Sequence, residues 1–209
     1  MRTRSEQITS AGQQTRQKIL DAAIPLFAEG GFSGTSVRRL ADAAGVNVAT
    51  LAYHFGDKKG LYREAVGQLH HRLADLTLRP EEGDPVRGSV VAIFAFLSKN
   101  RDAVRLAHRH LVDAGRHPDV IVERWSSELY DKALGIVKVL QPAWSDEELR
   151  FTVHTLSHVF VRLVLEPRDQ LADSLGCTRD ELDDRLVVLT SRLLARQLGL
   201  ALPADPTVV

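Results

Sequence analysis

Apolar residues recur at helical intervals along almost the whole chain, and this periodicity limits the fold more than any other feature. Ile19, Ala22, Ala23, Leu26 and Phe27, for example, fall at the spacing of one helix face. Strands would need alternating apolar and polar residues, and the sequence contains no such pattern and no internal repeat. The sequence therefore predicts an all-α protein of about nine helices.

Helix-ending and helix-starting residues divide this pattern into segments. Pro25 lies inside the first one, which Gly30-Gly31 ends. We expect one bent helix there, because the apolar face continues through Phe27; two shorter helices are the alternative. The last two predicted helices begin with capping boxes at 145–148 and 178–181. After the first, the predicted helices cover about 37–44, 48–55, 58–78, 85–100, 102–114, 118–141, 146–165 and 179–199.

The composition excludes several classes of protein. A single cysteine, Cys177, rules out an internal disulfide and zinc sites built on several thiolates. The first residues carry no apolar stretch, so we expect no secretion signal. The longest apolar run, 90–97, is far shorter than the roughly 20 residues needed to span a bilayer. We expect a cytoplasmic protein with no membrane partner.

Residues 36–55 contain the most informative pattern, a short helix, a tight turn and a second short helix. Leu40, Ala44, Val46 and Leu51 would form an apolar wedge between the two, and Gly45 allows the positive φ of a sharp turn. This spacing matches a helix-turn-helix, whose second helix enters the DNA major groove. The alternative is an ordinary pair of short helices, which also needs a glycine turn.

With its flanks at 15–23 and 27–32, this segment resembles the tetracycline-repressor (TetR) family of bacterial transcriptional regulators. The resemblance is most specific at 50–55, Lys58 and Leu61-Tyr62, and it covers about 15–65. It implies a homodimer with an N-terminal DNA-binding domain and a C-terminal helical domain that dimerises and binds a small effector. Most members of the family are repressors that the effector releases from DNA.

The resemblance also implies a division of the chain. We expect a flexible N-terminal arm over 1–14, the helix-turn-helix domain over 15–60, the effector-binding and dimerisation domain over 61–202, and a frayed tail over 203–209. The clearest linker signal is the run rich in charge, proline and glycine at 79–84.

DNA contacts follow from the resemblance position by position. Thr50, Tyr53 and His54 match recognition-helix residues that face DNA in the family, although Tyr53 could instead belong partly to the core. Lys58 starts the next helix, where an ammonium group and free N–H groups favour phosphate. Asn47 has the hydrogen-bonding range to read base edges. The full predicted set is Arg16, Ser36, Arg38, Asn47, Val48, Ala49, Thr50, Tyr53, His54 and Lys58.

The C-terminal helices are expected to hold the effector pocket and the dimer interface. In the family, two long helices, here 146–165 and 179–199, pair with those of the second subunit as a four-helix bundle. The pocket would lie within about 61–141, with mostly apolar walls. Core packing is the alternative for each of its residues. They are Phe94, Leu97, Leu106, His110, Trp125, Leu129 and Tyr130.

Histidine clusters suggest a different class of function. His154 and His158 stand four residues apart, the right spacing for two metal ligands on one helix face. No acidic residue or cysteine completes such a site in an obvious way, and no catalytic constellation, cofactor motif or phosphate loop is present. The alternative hypotheses are therefore a helical metal-responsive binder or metal-dependent enzyme, and an interaction adaptor with a degenerate motif. Retention of Thr50, Tyr53, His54 and Lys58 argues against degeneration.

The formal net charge of zero is the sum of a positively charged N-terminal part and a negatively charged C-terminal part of the chain. Residues 1–79 hold 11 Lys+Arg and 7 Asp+Glu, a net charge of +4, and residues 80–209 hold 16 and 20, a net charge of −4. In a dimer the two N-terminal halves would present about +8 toward DNA. The charge distribution is therefore compatible with a double-stranded DNA partner.

Overall fold

The computed structural model describes residues 4–74, 85–113 and 127–200, and their regular structure is entirely α-helical. The all-α prediction is confirmed, with ten helices in these residues where about nine were expected. None of the ten is both long and apolar enough to cross a membrane. In chain order they are α1 (Arg4–Gly30), α2 (Val37–Ala44), α3 (Val48–Phe55), α4 (Lys58–Ala74), α5 (Pro85–Lys99), α6 (Arg101–Asp113), α7 (Ser127–Leu140), α8 (Asp146–Leu165), α9 (Arg168–Leu175) and α10 (Leu182–Gln197).

The first helix differs from the prediction at its start. It begins at Arg4, so most of the stretch expected to be a flexible arm over 1–14 is helical. Alanine, glutamine and arginine are good helix formers, and no proline interrupts them before Pro25. Pro25 lies within one continuous helix, as preferred over two shorter ones. Its ring is exposed, while Ile24 and Phe27 beside it are buried.

The sequence missed α9 and misplaced the start of α10. The helix α9 has only eight residues and few apolar positions, so its apolar periodicity is too short to predict a helix, although Leu171 and Ala172 are buried. The capping bonds between Thr178 and Glu181 do form, at 2.9 and 3.4 Å. They close a separate turn, however, and α10 begins only at Leu182. The predicted linker at 79–84 and the tail at 203–209 lie outside the described residues.

The chain divides into two compact units, and the first comprises Met1–Arg72 with Asp102–Trp125. Within it α1 packs on α2, and α2 packs on α3. The ring of Tyr62 stands edge-on to Phe27 at 5.0 Å and to Phe32 at 5.2 Å. The division into a DNA-binding domain over 15–60 and an effector domain over 61–202 stays a prediction. The largest fully buried side chains of this unit are Ile19, Leu20, Phe27, Leu40, Leu51, Leu61, Val104 and Leu106.

The second unit comprises Leu73–Arg101 with Ser126–Val209. In it α5 packs against both α8 and α10, and α7 packs on α8. The ring of Phe94 stands 5.1 Å from that of Phe160. The guanidinium of Arg101 donates to the carbonyl oxygens of Leu165 and Glu166 at 3.2 and 3.1 Å, which satisfies two acceptors at the end of α8.

Gly60 provides a test of how closely α3 and α4 approach. A Cβ at Gly60 would lie 2.1 Å from the carbonyl oxygen of Phe55. We expect Gly60→Ala to lower the free energy of unfolding by about 1–3 kcal/mol, because backbone must move to admit the methyl group. Denaturant titration at one fixed protein concentration measures this. Gly12→Ala is the matched control: its Cβ would meet nothing within 4 Å, and the substitution should stabilise α1 by up to about 1 kcal/mol. Equal effects of the two variants would contradict the close approach.

Candidate nucleic-acid interface

The turn between α2 and α3 is short and closed by two backbone hydrogen bonds. Gly45 takes the left-handed conformation at φ 60° and ψ 40°. Its N–H donates to the Asp42 carbonyl at 3.1 Å, and the N–H of Val46 donates to the Ala41 carbonyl at 3.0 Å. Two otherwise unpaired carbonyls at the end of α2 are thereby satisfied, as in a Schellman-type helix end. Asn47 then caps α3 directly, so the chain changes direction within three residues.

The two faces of α3 differ sharply in burial. Leu51 is buried with Leu40 and Ala44 of α2, which confirms three members of the predicted apolar wedge. Tyr53, by contrast, is 85% exposed, so it takes no part in the core. Val48 is 48% exposed. The outer face of α3 also carries exposed Ala49 and Ala52. This helix therefore presents a contact surface to solvent while its other face fixes it to the unit.

Asn47 has two roles at the start of α3. Its side-chain oxygen accepts from the backbone N–H of Thr50 at 2.7 Å and from the Thr50 hydroxyl at 3.0 Å. These bonds cap the helix and orient Thr50. The amide group of an asparagine also carries two N–H donors, which the cap does not use. Asn47 can therefore hold α3 in place and still offer a donor to a base edge.

Lys58 begins α4 and lies against an aromatic ring. Its Nζ stands 4.4 Å from the centre of the Phe32 ring, a cation–π contact. Partial burial lowers the pKa of Lys58 from its ordinary value. Asp57 already accepts the Gly60 N–H at 2.8 Å, so it uses one of the free donors at this helix start. The cation of Lys58, more than the helix end, is thus the group available to a phosphate.

The remaining predicted DNA contacts differ in their exposure and in the partners that they already have. Arg16 is paired with Glu64 and lies 5.0 Å over the Phe55 ring, so a phosphate would have to compete for its guanidinium. The Ser36 hydroxyl caps α2 by accepting the Arg39 N–H at 3.2 Å. Arg38 is exposed and His54 is half-buried. Each of these assignments stays a prediction.

Two residues of α6 contact the helices that carry this surface, and the sequence did not predict either contact. The guanidinium of Arg109 donates to the Glu29 carbonyl at 3.1 Å, near the end of α1. The ring of His110 lies 5.8 Å from that of Tyr62 in α4. Burial, reinforced by the Asp113 carboxylate and opposed by Arg109, raises the pKa of Tyr62 to about 12. The sequence marked His110 only as a residue of the predicted pocket.

The predicted pocket residues fall in different parts of the chain. Phe94 and Leu97 are buried in the second unit, whereas Leu106 and His110 belong to the first. Trp125 lies outside the described residues. Leu129 and Tyr130 lie on α7, but their side chains are not among those described. The assignment of this set to a ligand stays a prediction.

The histidine pair predicted from spacing lies on α8, with the ring centres of His154 and His158 4.6 Å apart. Among the residues that the structure describes, no three side chains of His, Cys, Asp or Glu come together as metal ligands. The described residues therefore offer two adjacent candidate ligands for a metal-dependent enzyme, but no complete set of metal ligands.

Comparison with known proteins identifies the N-terminal segment. The family model described as "Bacterial regulatory proteins, tetR family" matches residues 19–65. The probable HTH-type transcriptional regulator YttP of Bacillus subtilis is 46% identical over 56 residues, covering 27% of this chain and 27% of that protein. The biofilm operon icaADBC HTH-type negative transcriptional regulator IcaR of Staphylococcus epidermidis is 31% identical over 84 residues, covering 40% and 44%. The chain thus spans less than half the length of either relative.

The fold of most of the chain is also shared with solved structures. The putative transcriptional regulator SCO4942 from Streptomyces coelicolor superposes with a TM-score of 0.61 at 19% identity, covering 86% of this chain and 97% of that one. At this identity the likeness concerns the fold alone. The matched segment 19–65 contains α2, the glycine turn and α3 together. Over this segment the chain is similar to the tetR family of bacterial regulatory proteins.

Proposed function

We propose that the chain is a homodimeric transcriptional regulator that represses genes by binding a pseudo-palindromic operator and is released by a small-molecule effector. The observation that carries the proposal is the outer face of α3, where Tyr53 is 85% exposed while Leu51 on the opposite face is 1% exposed. An amphipathic helix held this way behind a tight turn is suited to the major groove. Because bacterial operator DNA lies in the cytoplasm, we place the protein there.

The dimensions and charge support this assignment. The eight residues of α3 extend over about 12 Å, enough to reach a few base pairs of one half-site. Two copies of α3 about 34 Å apart would read successive major grooves on one side of the duplex. The net charge of +4 on residues 1–79 favours DNA at this end of each copy.

Repression is supported by the printed description of one relative, IcaR, as a negative transcriptional regulator. The segment 19–65 that matches the family model contains α2, the glycine turn and α3, the elements to which we assign DNA binding. A repressor of this kind needs no chemistry beyond occupying its operator. Both relatives described above are named as transcriptional regulators.

Dimerisation is supported by apolar side chains exposed on α8 and α10. Phe151 is 69% exposed, Leu193 50% and Leu189 41%. An open depression of about 540 Å³ lies beside Phe151 and is lined also by Glu147, Arg150 and His154. Large exposed apolar residues on two long helices are typical of a surface that a partner covers. We therefore assign the outer faces of α8 and α10 to the homodimer.

Effector control would act through contacts to the DNA-binding helices. Arg109 and His110 tie α6 to the end of α1 and to α4, and α4 begins at Lys58 beside the DNA-facing surface. A ligand that shifts α6 would thereby move α3, and effector and operator would weaken each other's binding reciprocally.

A ligand that raises the melting temperature and releases the duplex would identify the effector; a stabilising ligand that leaves DNA binding unchanged would argue against this coupling.

Selection from random duplexes tests DNA binding itself. We expect the wild-type protein to enrich a sequence with two inverted half-sites at moderate salt. Tyr53→Ala should bind that sequence more weakly while changing the free energy of unfolding by less than about 0.5 kcal/mol, because the side chain is exposed. Failure of the wild type to enrich any sequence would overturn the proposed function.

Lys58→Ala tests phosphate contact. Binding to all duplexes should weaken about equally, and the slope of log K against log salt concentration should fall by about one. Fluorescence anisotropy titrations at several salt concentrations measure both quantities. Lys99→Ala removes the same charge at the end of α5 and is the matched control. A similar change of slope in the control would mean that Lys58 acts only through the net charge.

Asn47→Ser separates base reading from helix capping. Serine caps a helix about as well as asparagine, so the unfolding free energy should change little, whereas the amide donor is lost. We expect discrimination at one operator base pair to fall by about 1–3 kcal/mol. Competition between single-base operator variants measures this loss. A uniform loss of affinity across these variants, like that of Lys58→Ala, would show that Asn47 reads no base.

Leu193→Asp tests the dimer face. A charge at this half-exposed position on α10 should shift the sedimentation profile toward monomer and weaken operator binding, because a monomer engages one half-site. Val139→Asp places the same charge on α7, where the side chain is 81% exposed, and should leave the dimer intact. A dimer that survives Leu193→Asp unchanged would exclude this face.

A further inference from the structure

Two histidines on the outer face of α8 form the strongest cluster of unused chemical groups. His154 and His158 lie one turn apart, and both side chains are exposed. Their ring centres are 4.6 Å apart, with the ring planes at 77° to each other. Neither imidazole takes part in the packing of the second unit. No DNA contact or core role described above accounts for the pair.

The distance between the two ring centres matches the distance between two imidazoles that bind the same metal ion. A zinc–nitrogen bond is about 2.0–2.1 Å, which puts the centre of a ligating imidazole about 3.2 Å from the ion. Two imidazoles on one tetrahedral or octahedral ion then have ring centres about 4.5–5.2 Å apart. The observed 4.6 Å lies in this interval. His108 and His110 on α6 are two residues apart, a spacing that turns side chains to different sides of a helix.

One chain supplies only part of a coordination sphere. In the described residues no third ligand of the same kind joins the pair, whereas a closed zinc site takes four ligands. The pair lies on the same helix as Phe151, on the face assigned above to the homodimer. A twofold axis repeats every group at an isologous interface, so a second copy would bring an identical pair.

We propose that His154 and His158 form a chelating site for a divalent transition-metal ion of the zinc class, completed in the homodimer by the same two residues of the second copy. The site rests on the proposed dimer through α8. Imidazole ligands favour zinc, cobalt, nickel and copper over magnesium and calcium, which prefer oxygen. An ion held by four imidazoles ties the two copies together, so metal availability controls how much dimer is present.

Cobalt(II) is the probe for the site, because four-coordinate cobalt absorbs visible light much more strongly than the hexaaquo ion. Full-length protein is stripped with EDTA, dialysed at a pH above the ordinary histidine pKa and titrated with Co²⁺. We expect strong visible bands that saturate at one ion per two chains and disappear on addition of excess Zn²⁺. His154→Ala and His158→Ala should each abolish the bands, and His108→Ala, the matched control, should retain them. Absence of the bands, saturation at one ion per chain, or equal loss in the control would overturn the proposal.

Sedimentation with Zn²⁺ and with EDTA separates this inference from the proposed dimer. At a free Zn²⁺ concentration about 100 times the dissociation constant of the site, linkage strengthens wild-type dimerisation by up to about 100-fold, and His154→Ala should lose this gain. Dimerisation that is equal in Zn²⁺ and EDTA overturns the metal site and leaves the dimer intact. A protein that is monomeric in both overturns the metal site and the homodimer together. Monomer in EDTA and dimer in Zn²⁺ supports the site.

Discussion

The position of α3 depends on one backbone constraint, the left-handed conformation of Gly45 between α2 and α3. A residue with a Cβ is strained at φ 60°, and only this conformation lets the N–H groups of Gly45 and Val46 turn back to the end of α2. The short turn then places Leu51 against Leu40 in the core. Without it, Tyr53 would have no fixed direction relative to the rest of the unit.

A second close approach fixes α3 from its other end. Gly60 admits the Phe55 carbonyl where any side chain would collide with it, and Asp57 caps the first turn of α4 between them. Tyr62, two residues further along α4, packs its ring against Phe27 of α1. Backbone geometry therefore holds α3 at both ends, and burial holds its inner face, so the exposed side chains of its outer face can vary without loss of the fold. Such separation of scaffold from exposed surface is how one fold can carry different binding sites.

Side-chain caps fix the starts of several helices in the described part of the chain. Ser36 and Asn47 accept backbone N–H groups at the starts of α2 and α3. Each immediately precedes a helix predicted from sequence, and its residue type is one that favours the cap position, because capping depends on neighbouring residues alone. Thr178 shows the limit of that reasoning. Its capping bonds with Glu181 formed as expected, yet α10 starts later, because the position at which the apolar stripe meets the core determines where the helix proper begins. For the same reason the sequence did not predict α9, because the burial of its residues depends on the elements that pack against it.

The sequence by itself determined the helical class, the glycine turn, the caps and the wedge of α2 and α3, since each follows from spacing and local chemistry. It also singled out His154 and His158 by their interval along one helix. Only the tertiary structure decided that Tyr53 is free of the core, that Arg16 is occupied by Glu64, and that Arg109 reaches the Glu29 carbonyl. These facts depend on residues far apart in the chain, and the spacing of residues along one helix carries no information about which distant side chain will meet them.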